Sequence, residues 1–325
     1  MNDKNSPLII DTDGGVDDAL AIIMALNCDR FKLEAVTVVA GNTDVHQATN
    51  NVLRVIDIVQ PKHPPLVAKG CEKPLIRPLF KAEGIHGSDG LGELHRFENP
   101  DGTSRYPALR RKPSSKNAID VLRKAAKKYG NDLTVLCIGP LTNIATALQT
   151  DRHTMQRVGR IVMMGGAVKV PGNISAAAEF NFFVDPDAAQ IVMESGIPLT
   201  MVGLDVAMKA PLSRRALEAH VKRHPSVVSQ FIADCTGIYM AFYRDNEGFH
   251  GCYLHDPLAM GVAIDPSLVS TEALHVAVET EGRFTSGMSL ADWRDRRDET
   301  NAPPNVDTCL DVATDRFLKM FYKLI

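Results

Sequence analysis

The residues best suited to chemistry lie near the start of the chain, in "LIIDTDGGVDDALAII" (8–23). Four aspartates, Asp11, Asp13, Asp17 and Asp18, stand within eight positions, with apolar runs on both sides. Like charges this close repel, and burying each costs several kcal/mol unless a positive group answers it. Gly14 and Gly15 allow a tight turn, and one aspartate can cap the helix that follows. A cap explains one carboxylate, not four. A hard dication taking roughly 6–8 oxygen ligands would offset the repulsion and leave positions for substrate hydroxyls.

Two other acidic readings compete. An EF-hand loop needs a bidentate Glu at its twelfth position; counting from Asp11, that position is Ile22. A haloacid-dehalogenase-type phosphatase carries D-x-D-G after its first strand, which fits "DTDG" but leaves Asp17 and Asp18 unexplained. It would also need a downstream Lys and acidic pair that this chain does not offer in order.

Elements must position these side chains. Short apolar runs at 8–10, 33–39, 66–68, 133–138, 160–164 and 199–202 predict strands buried on both faces. Helical periodicity predicts helices at 18–26, 45–59, 116–129, 141–149, 186–195, 214–220, 226–243 and 311–324. The alternation predicts an α/β fold, a mainly parallel central sheet flanked by helices, in one domain over 1–325. In such sheets ligands bind outside the carboxyl ends of the strands. There the sequence places "DTDGGVDD", "AGNTD" with Asn42, "IGPLTNIA", "MGGAV" and "GLD". The Gly-, Pro- and charge-rich segment 70–113 reads as a long loop over one end of the sheet.

Composition narrows the function. Among 325 residues, 36 Lys+Arg against 39 Asp+Glu give a net charge of −3, which makes no case for nucleic acid. "RRK" at 110–112 reads as a solvated loop. None of the six cysteines forms a C-x-x-C pair, and four sit in apolar segments, as expected of reduced core cysteines. "MNDKNSP" is polar and no 18-residue apolar stretch occurs, so no membrane span is expected and the expected location is the cytoplasm. Asn173-Ile-Ser175 matches a glycosylation acceptor, a pattern that arises by chance.

"DTDGGVDDALAI" resembles the signature of the inosine-uridine nucleoside hydrolase family. "GIHGSDGLG" (84–92), "IGPLTNIA" (138–145), "MMGGA" (163–167), "GNISAAAEFNFFVDPDAA" (172–189) and "LHDPLAM" (254–260) match in family order, across nearly the whole chain. The resemblance implies one α/β domain that binds Ca²⁺ and hydrolyses the N-glycosidic bond of ribonucleosides to ribose and free base. It also implies a homodimer or homotetramer. By resemblance, Asp13 is a Ca²⁺ ligand and general base, Asp18 a bidentate ligand and Asp256 a further one. The backbone carbonyl of Ile138 supplies another, and Asp17 accepts the ribose 2′-hydroxyl. Asp11 holds the turn from behind.

Within the apolar stretch "AAAEFNFFVDP", Glu179 and Asn181 need polar partners, either local backbone or a ligand. The resemblance turns Asn173 and Glu179 toward the sugar 5′ end and Asn181 toward its 2′/3′ edge. It puts Asn42 near the metal carboxylates and Met164 against substrate. It makes His255 the acid that assists departure of the base, a role suited to imidazole. It sets His86 near the base. Tyr239 and Tyr243, four apart on one helix face, are either a core pair or a wall over the base. The single Trp, Trp293, lies far downstream, so a tryptophan sandwich around a purine is not expected. Eight residues before His255, where Arg is expected in the broad-specificity type, stands Glu247. The expected preference is broad, leaning to inosine and uridine, with pyrimidine selectivity as the alternative.

Overall fold

The computed structural model describes residues 5–294 and 302–325. Its centre is an eight-stranded sheet in the order β3-β2-β1-β4-β5-β6-β12-β9. These are β1 (Ser6–Thr12), β2 (Phe31–Val38), β3 (Leu66–Lys69), β4 (Thr134–Cys137), β5 (Arg160–Met164), β6 (Leu199–Val202), β9 (Val269–Leu274) and β12 (Val306–Val312). Two antiparallel pairs lie outside it: β7 (Pro211–Ser213) with β8 (Gly251–Tyr253), and β10 (Val276–Val278) with β11 (Ser289–Ala291). Neighbours in the main sheet run parallel except β12 with β9.

Alternation along each strand sends its side chains to two cores. On β1, Leu8 and Ile10 join one buried cluster with Leu136, Val162 and Val202. Ile9 joins the other, with Val135, Ile161 and Met163. Helices cover both faces, so the strands read as apolar throughout. Helix Val16–Leu26 is buried from Val16 through Ala25 and packs against helix His255–Ile264. That packing joins the first acidic turn to a residue far along the chain.

The predicted helix at 311–324 begins only at Thr314, because 306–312 is a strand of the sheet. Its alternation is hidden by Asp307 and Asp311, which stand near a solvated edge. The antiparallel edge strand β9, largely exposed at Ser270–Ala273, carries no apolar run for the sequence to show. Segment 70–113 is mainly irregular, with one short helix, Glu83–His86, and a 3₁₀ turn, Leu94–Arg96. Of the N-terminal stretch read as polar, residues 1–4 lie outside those described. Among the described residues, no helix is long and apolar enough to cross a membrane.

The chain runs outward from β1 to β2 and β3, then returns to place β4 on the other side of β1. The strand order therefore reverses between β1 and β4. A crevice outside the carboxyl ends of that pair is where an open α/β sheet binds its ligand.

Candidate active site

At that reversal β1 ends in Asp11-Thr12, and Asp13 with the turn Gly14-Gly15 leads into helix Val16–Leu26. Gly14 has φ +68°, and a Cβ there would lie 2.7 Å from the Ala48 carbonyl oxygen, so only glycine fits. Asp18 folds back on this turn. One of its oxygens accepts from the Gly15 N–H at 2.9 Å and the other from the Thr12 hydroxyl and the Asp13 N–H. Asp18 is thus the capping aspartate, yet it is completely buried.

Asp13 is held by Asn42, whose N–H donates to one carboxylate oxygen at 2.7 Å and whose side-chain amide donates to the other at 3.0 Å. The same amide lies 3.4 Å from Asp18. Asn42 is not the cap of the next helix; Asp44 is. Asp11 sits one layer deeper and accepts from Thr37 and, at 2.8 Å, from Asn143. Its other oxygen has no partner. Burial pushes the Asp11 carboxyl up to about 7.

The helix His255–Ile264 brings in the remaining carboxylate. Asp256, in its first turn, offers an oxygen that lies with oxygens of Asp17 and Asp18 within 4.8 Å of one another. Burial, then mutual charge, pushes Asp13, Asp17 and Asp256 up, Asp17 to about 8. Burial raises Asp18 as well. Four buried carboxyls pushed up in this way make an oxygen-rich cradle that calls for a hard cation. Of the expected Asp13, Asp18 and Asp256, the last two meet within that 4.8 Å, and the third carboxylate there is Asp17; Asp13 adjoins through its N–H, 3.3 Å from Asp18.

Above the carboxylates opens a cleft of about 450 Å³. It is lined by Asp17, Asn42, Asp256, Asn173, Glu179 and Asn181 with Ile138 and Met164, and by the rings of His86, Tyr239, Tyr243 and His255. Asp11, Asp13 and Asp18 are buried behind this lining. Glu179 caps helix Phe180–Val184, accepting from the N–H groups of Asn181 (2.9 Å), Phe182 (3.2 Å) and Gly166 (3.0 Å). The local-backbone reading of this residue is therefore met, while it still faces the cleft. Burial raises its carboxyl to about 7. The Asn181 amide donates to the Met164 carbonyl at 3.1 Å and approaches that of Ile138 at 3.5 Å.

Among the rings, the Val16 N–H donates to His86 Nδ1 at 3.2 Å, which leaves the ring proton on Nε2. Burial pulls His86 down to about 3, so its 4.0 Å approach to Asp17 is not an ion pair. Its ring stacks on Tyr239, centroids 5.0 Å apart. His255 Nε2 lies 3.1 Å from the Tyr243 hydroxyl, and its Nδ1 is buried without a partner. Burial pulls His255 down to about 4.

Ala82, Ile85 and Phe180 also line the cleft. Ile85 and Phe180 adjoin residues the sequence singled out; Ala82 has no signal. Asp205 of "GLD" does not reach the cleft. It accepts from the N–H groups of Val168 and Lys169 and braces the loop after β5.

Residues 8–319 match the profile of the family described as inosine-uridine preferring nucleoside hydrolase. The chain belongs to that family. This nucleoside hydrolase is 36% identical over 318 residues to the pyrimidine-specific ribonucleoside hydrolase RihA of Klebsiella pneumoniae, covering 97% of this chain and 96% of that one. It superposes on the purine-preferring ribonucleoside hydrolase from Gardnerella vaginalis with a TM-score of 0.88, at 35% identity, over 98% and 97% of the two chains. The plant nucleoside hydrolase PpNRh1 gives a TM-score of 0.88 at 31% identity, over 98% of each. The nucleoside hydrolase is accordingly an enzyme, an N-glycosidase, with the parallel-sheet fold of its relatives.

Proposed function

We propose that the enzyme hydrolyses ribonucleosides to ribose and free base in a Ca²⁺-dependent reaction, leaning to inosine and uridine. The observation that carries this reading is the convergence of Asp17, Asp18 and Asp256 beside a cleft lined by polar side chains and by aromatic rings. Asp13, Asp18, Asp256 and the Ile138 carbonyl would hold the cation. When bound, it would screen the carboxylates and acidify a water.

Asp17 accepts the 2′-hydroxyl, and Asn42 fixes Asp13. Asn181 and Met164 meet the sugar's lower edge, with Glu179 and Asn173 at its 5′ end. Water attacks C1′ while Asp13 takes its proton. The C1′–N bond breaks through an oxocarbenium-like sugar, and the departing base receives a proton from His255. The free ring is neutral; ionised carboxylates below an occupied cleft would favour its protonated form. His86, Tyr239 and Tyr243 wall the base, and Asp11 steadies the turn.

Pyrimidine selectivity is favoured by the name of the RihA relative. The purine-preferring Gardnerella enzyme is about as similar. The reading further has the enzyme acting in the cytoplasm as one catalytic domain per subunit of a homodimer or homotetramer. Ribose release from inosine, uridine, cytidine and adenosine, with and without chelator, tests it. Turnover of none refutes the reaction, and turnover indifferent to chelator refutes the metal.

A further inference from the structure

Apart from His255 and Phe180, the rings of the cleft come from two separate pieces of chain. Tyr239 and Tyr243 belong to helix Val227–Glu247, whereas His86 belongs to the irregular segment that crosses over it. The His86 ring is held on its own side by the Val16 N–H at 3.2 Å, and it stacks on Tyr239 across the gap between the two pieces, centroids 5.0 Å apart. The segment is also tied to the helix outside the cleft.

We infer that Asp234, clamped by Arg105 and Tyr106, is a positioning residue that holds the base side of the cleft together. Its carboxylate is buried and fully engaged. One oxygen accepts from Arg105 Nη1 at 2.7 Å and from the Tyr106 hydroxyl at 2.7 Å; the other accepts from the Gln230 amide at 2.8 Å. Charge-assisted bonds of this kind are short and directional. Arg105 also donates to the Glu98 carbonyl at 3.0 Å and lies over the Phe97 ring, so the clamp grips the segment at several points. Tyr106 meets Phe231 of the helix edge-to-face at 5.8 Å.

From the clamp the two pieces stay in register as far as the cleft. Gly92, with φ +77°, lies so close to the Cys235 backbone that a Cβ would collide with it. Its N–H donates to the His86 carbonyl at 2.9 Å. Next along the helix, Ile238 comes beside Gly87, and Tyr239 meets His86. Asp234, Cys235, Ile238 and Tyr239 thus form one seam, with the charged clamp at its outer end. Among the ribose contacts proposed above, Asp17 borders this seam, 4.0 Å from His86, whereas Met164, Glu179 and Asn181 belong to elements outside it. The clamp should therefore act chiefly on the base half of the site.

This inference rests on the reading that His86 and the two tyrosines face the base, and wild-type turnover tests that reading by itself. The clamp is tested with Asp234→Asn and with Arg105→Ala, the second at a partly exposed residue whose loss leaves the core packed. In both, KM for the preferred nucleoside is expected to rise about tenfold, the order set by loosening a positioning contact. Inhibition by free ribose should stay within about twofold, and Arg105→Lys should recover part of the loss, since lysine keeps the charge without the fork. Amide hydrogen exchange at 84–94 should quicken about tenfold in both variants, with or without substrate. An unchanged KM, nucleoside and ribose binding that weaken together, or unaltered exchange at 84–94 would overturn the inference.

Discussion

Removing the proposed cation should expose the electrostatic cost of the acidic cluster as a pH-dependent loss of stability. Without it, burial and mutual repulsion raise Asp13, Asp17 and Asp256, Asp17 to about 8. In the unfolded chain each titrates near 3.8. An acid whose pKa rises on folding adds no penalty below its unfolded value. Above that value the penalty grows with pH until the folded group also ionises. Between pH 8 and 6.5 the metal-free fold should hold about two more protons than the unfolded chain, shared among coupled carboxyls. At a little over 1 kcal/mol per proton per pH unit, acidification across that window should stabilise it by on the order of 4 kcal/mol.

Below about pH 6.5 a second effect enters with the opposite sign. Burial holds His86 and His255 neutral in the fold, at about 3 and 4, while the unfolded chain protonates them near 6.5. They withdraw stability as pH falls, so the gain should flatten below about pH 6. The assay is thermal melting from pH 8 to 5, with chelator and with excess Ca²⁺. With chelator, Tm should rise by several degrees down to pH 6.5, since a chain of this size shifts roughly 2 °C per kcal/mol. With Ca²⁺ the carboxylates around the ion stay ionised, and the slope should shrink to the part left by Asp11 and Glu179, each raised to about 7 by burial. A chelated protein whose Tm falls over the same window, or equal slopes with and without Ca²⁺, would refute the reasoning.

Three further outcomes follow from the geometry. His255→Ala should slow inosine cleavage by about 10²–10⁴-fold, the span of general acid catalysis, and leave a nitrophenyl riboside, whose leaving group needs no proton, nearly untouched; equal losses on both would remove the acid role. Asp13→Ala should lower kcat on both substrates by several powers of ten, because base and ligand go together; retention of more than a hundredth of the rate on either would exclude it. Gly41→Ala would drive a methyl into Asp13 Oδ2, so kcat should fall about a hundredfold by displacement of that carboxylate, measured beside a melt showing the variant folded.

The strands that could be read from sequence share one property: burial on both sides. Arg160–Met164 and Leu199–Val202 have the predicted bounds because a doubly covered strand is a short apolar run. Val45–Val59 also matches, since its period is strong and Asp44 caps it. Val306–Val312 was hidden because Asp307 and Asp311 point out of a half-solvated strand. Helix His255–Ile264 was not predicted as an element; Pro257 interrupts its pattern, although proline is tolerated in a first turn.

The site divides along the same physical line. Local spacing marked Asp11 to Asp18, because an acidic turn beside a buried strand is costly without a partner. It could not mark Asp256, which joins that turn only through the packing of two helices. Helix Val16–Leu26 is buried almost throughout and helix His255–Ile264 is buried through Ala263, and each begins at the cleft. Their aligned N–H dipoles favour negative charge at those ends. Three of the four clustered carboxyls, Asp17, Asp18 and Asp256, therefore occupy the first turns of helices whose apolar bodies fill the core. Their position is set by packing that has nothing to do with charge, and this lets the fold force together groups that would separate in water. A cation then finds the oxygens already assembled, with the cost of assembling them met by the core.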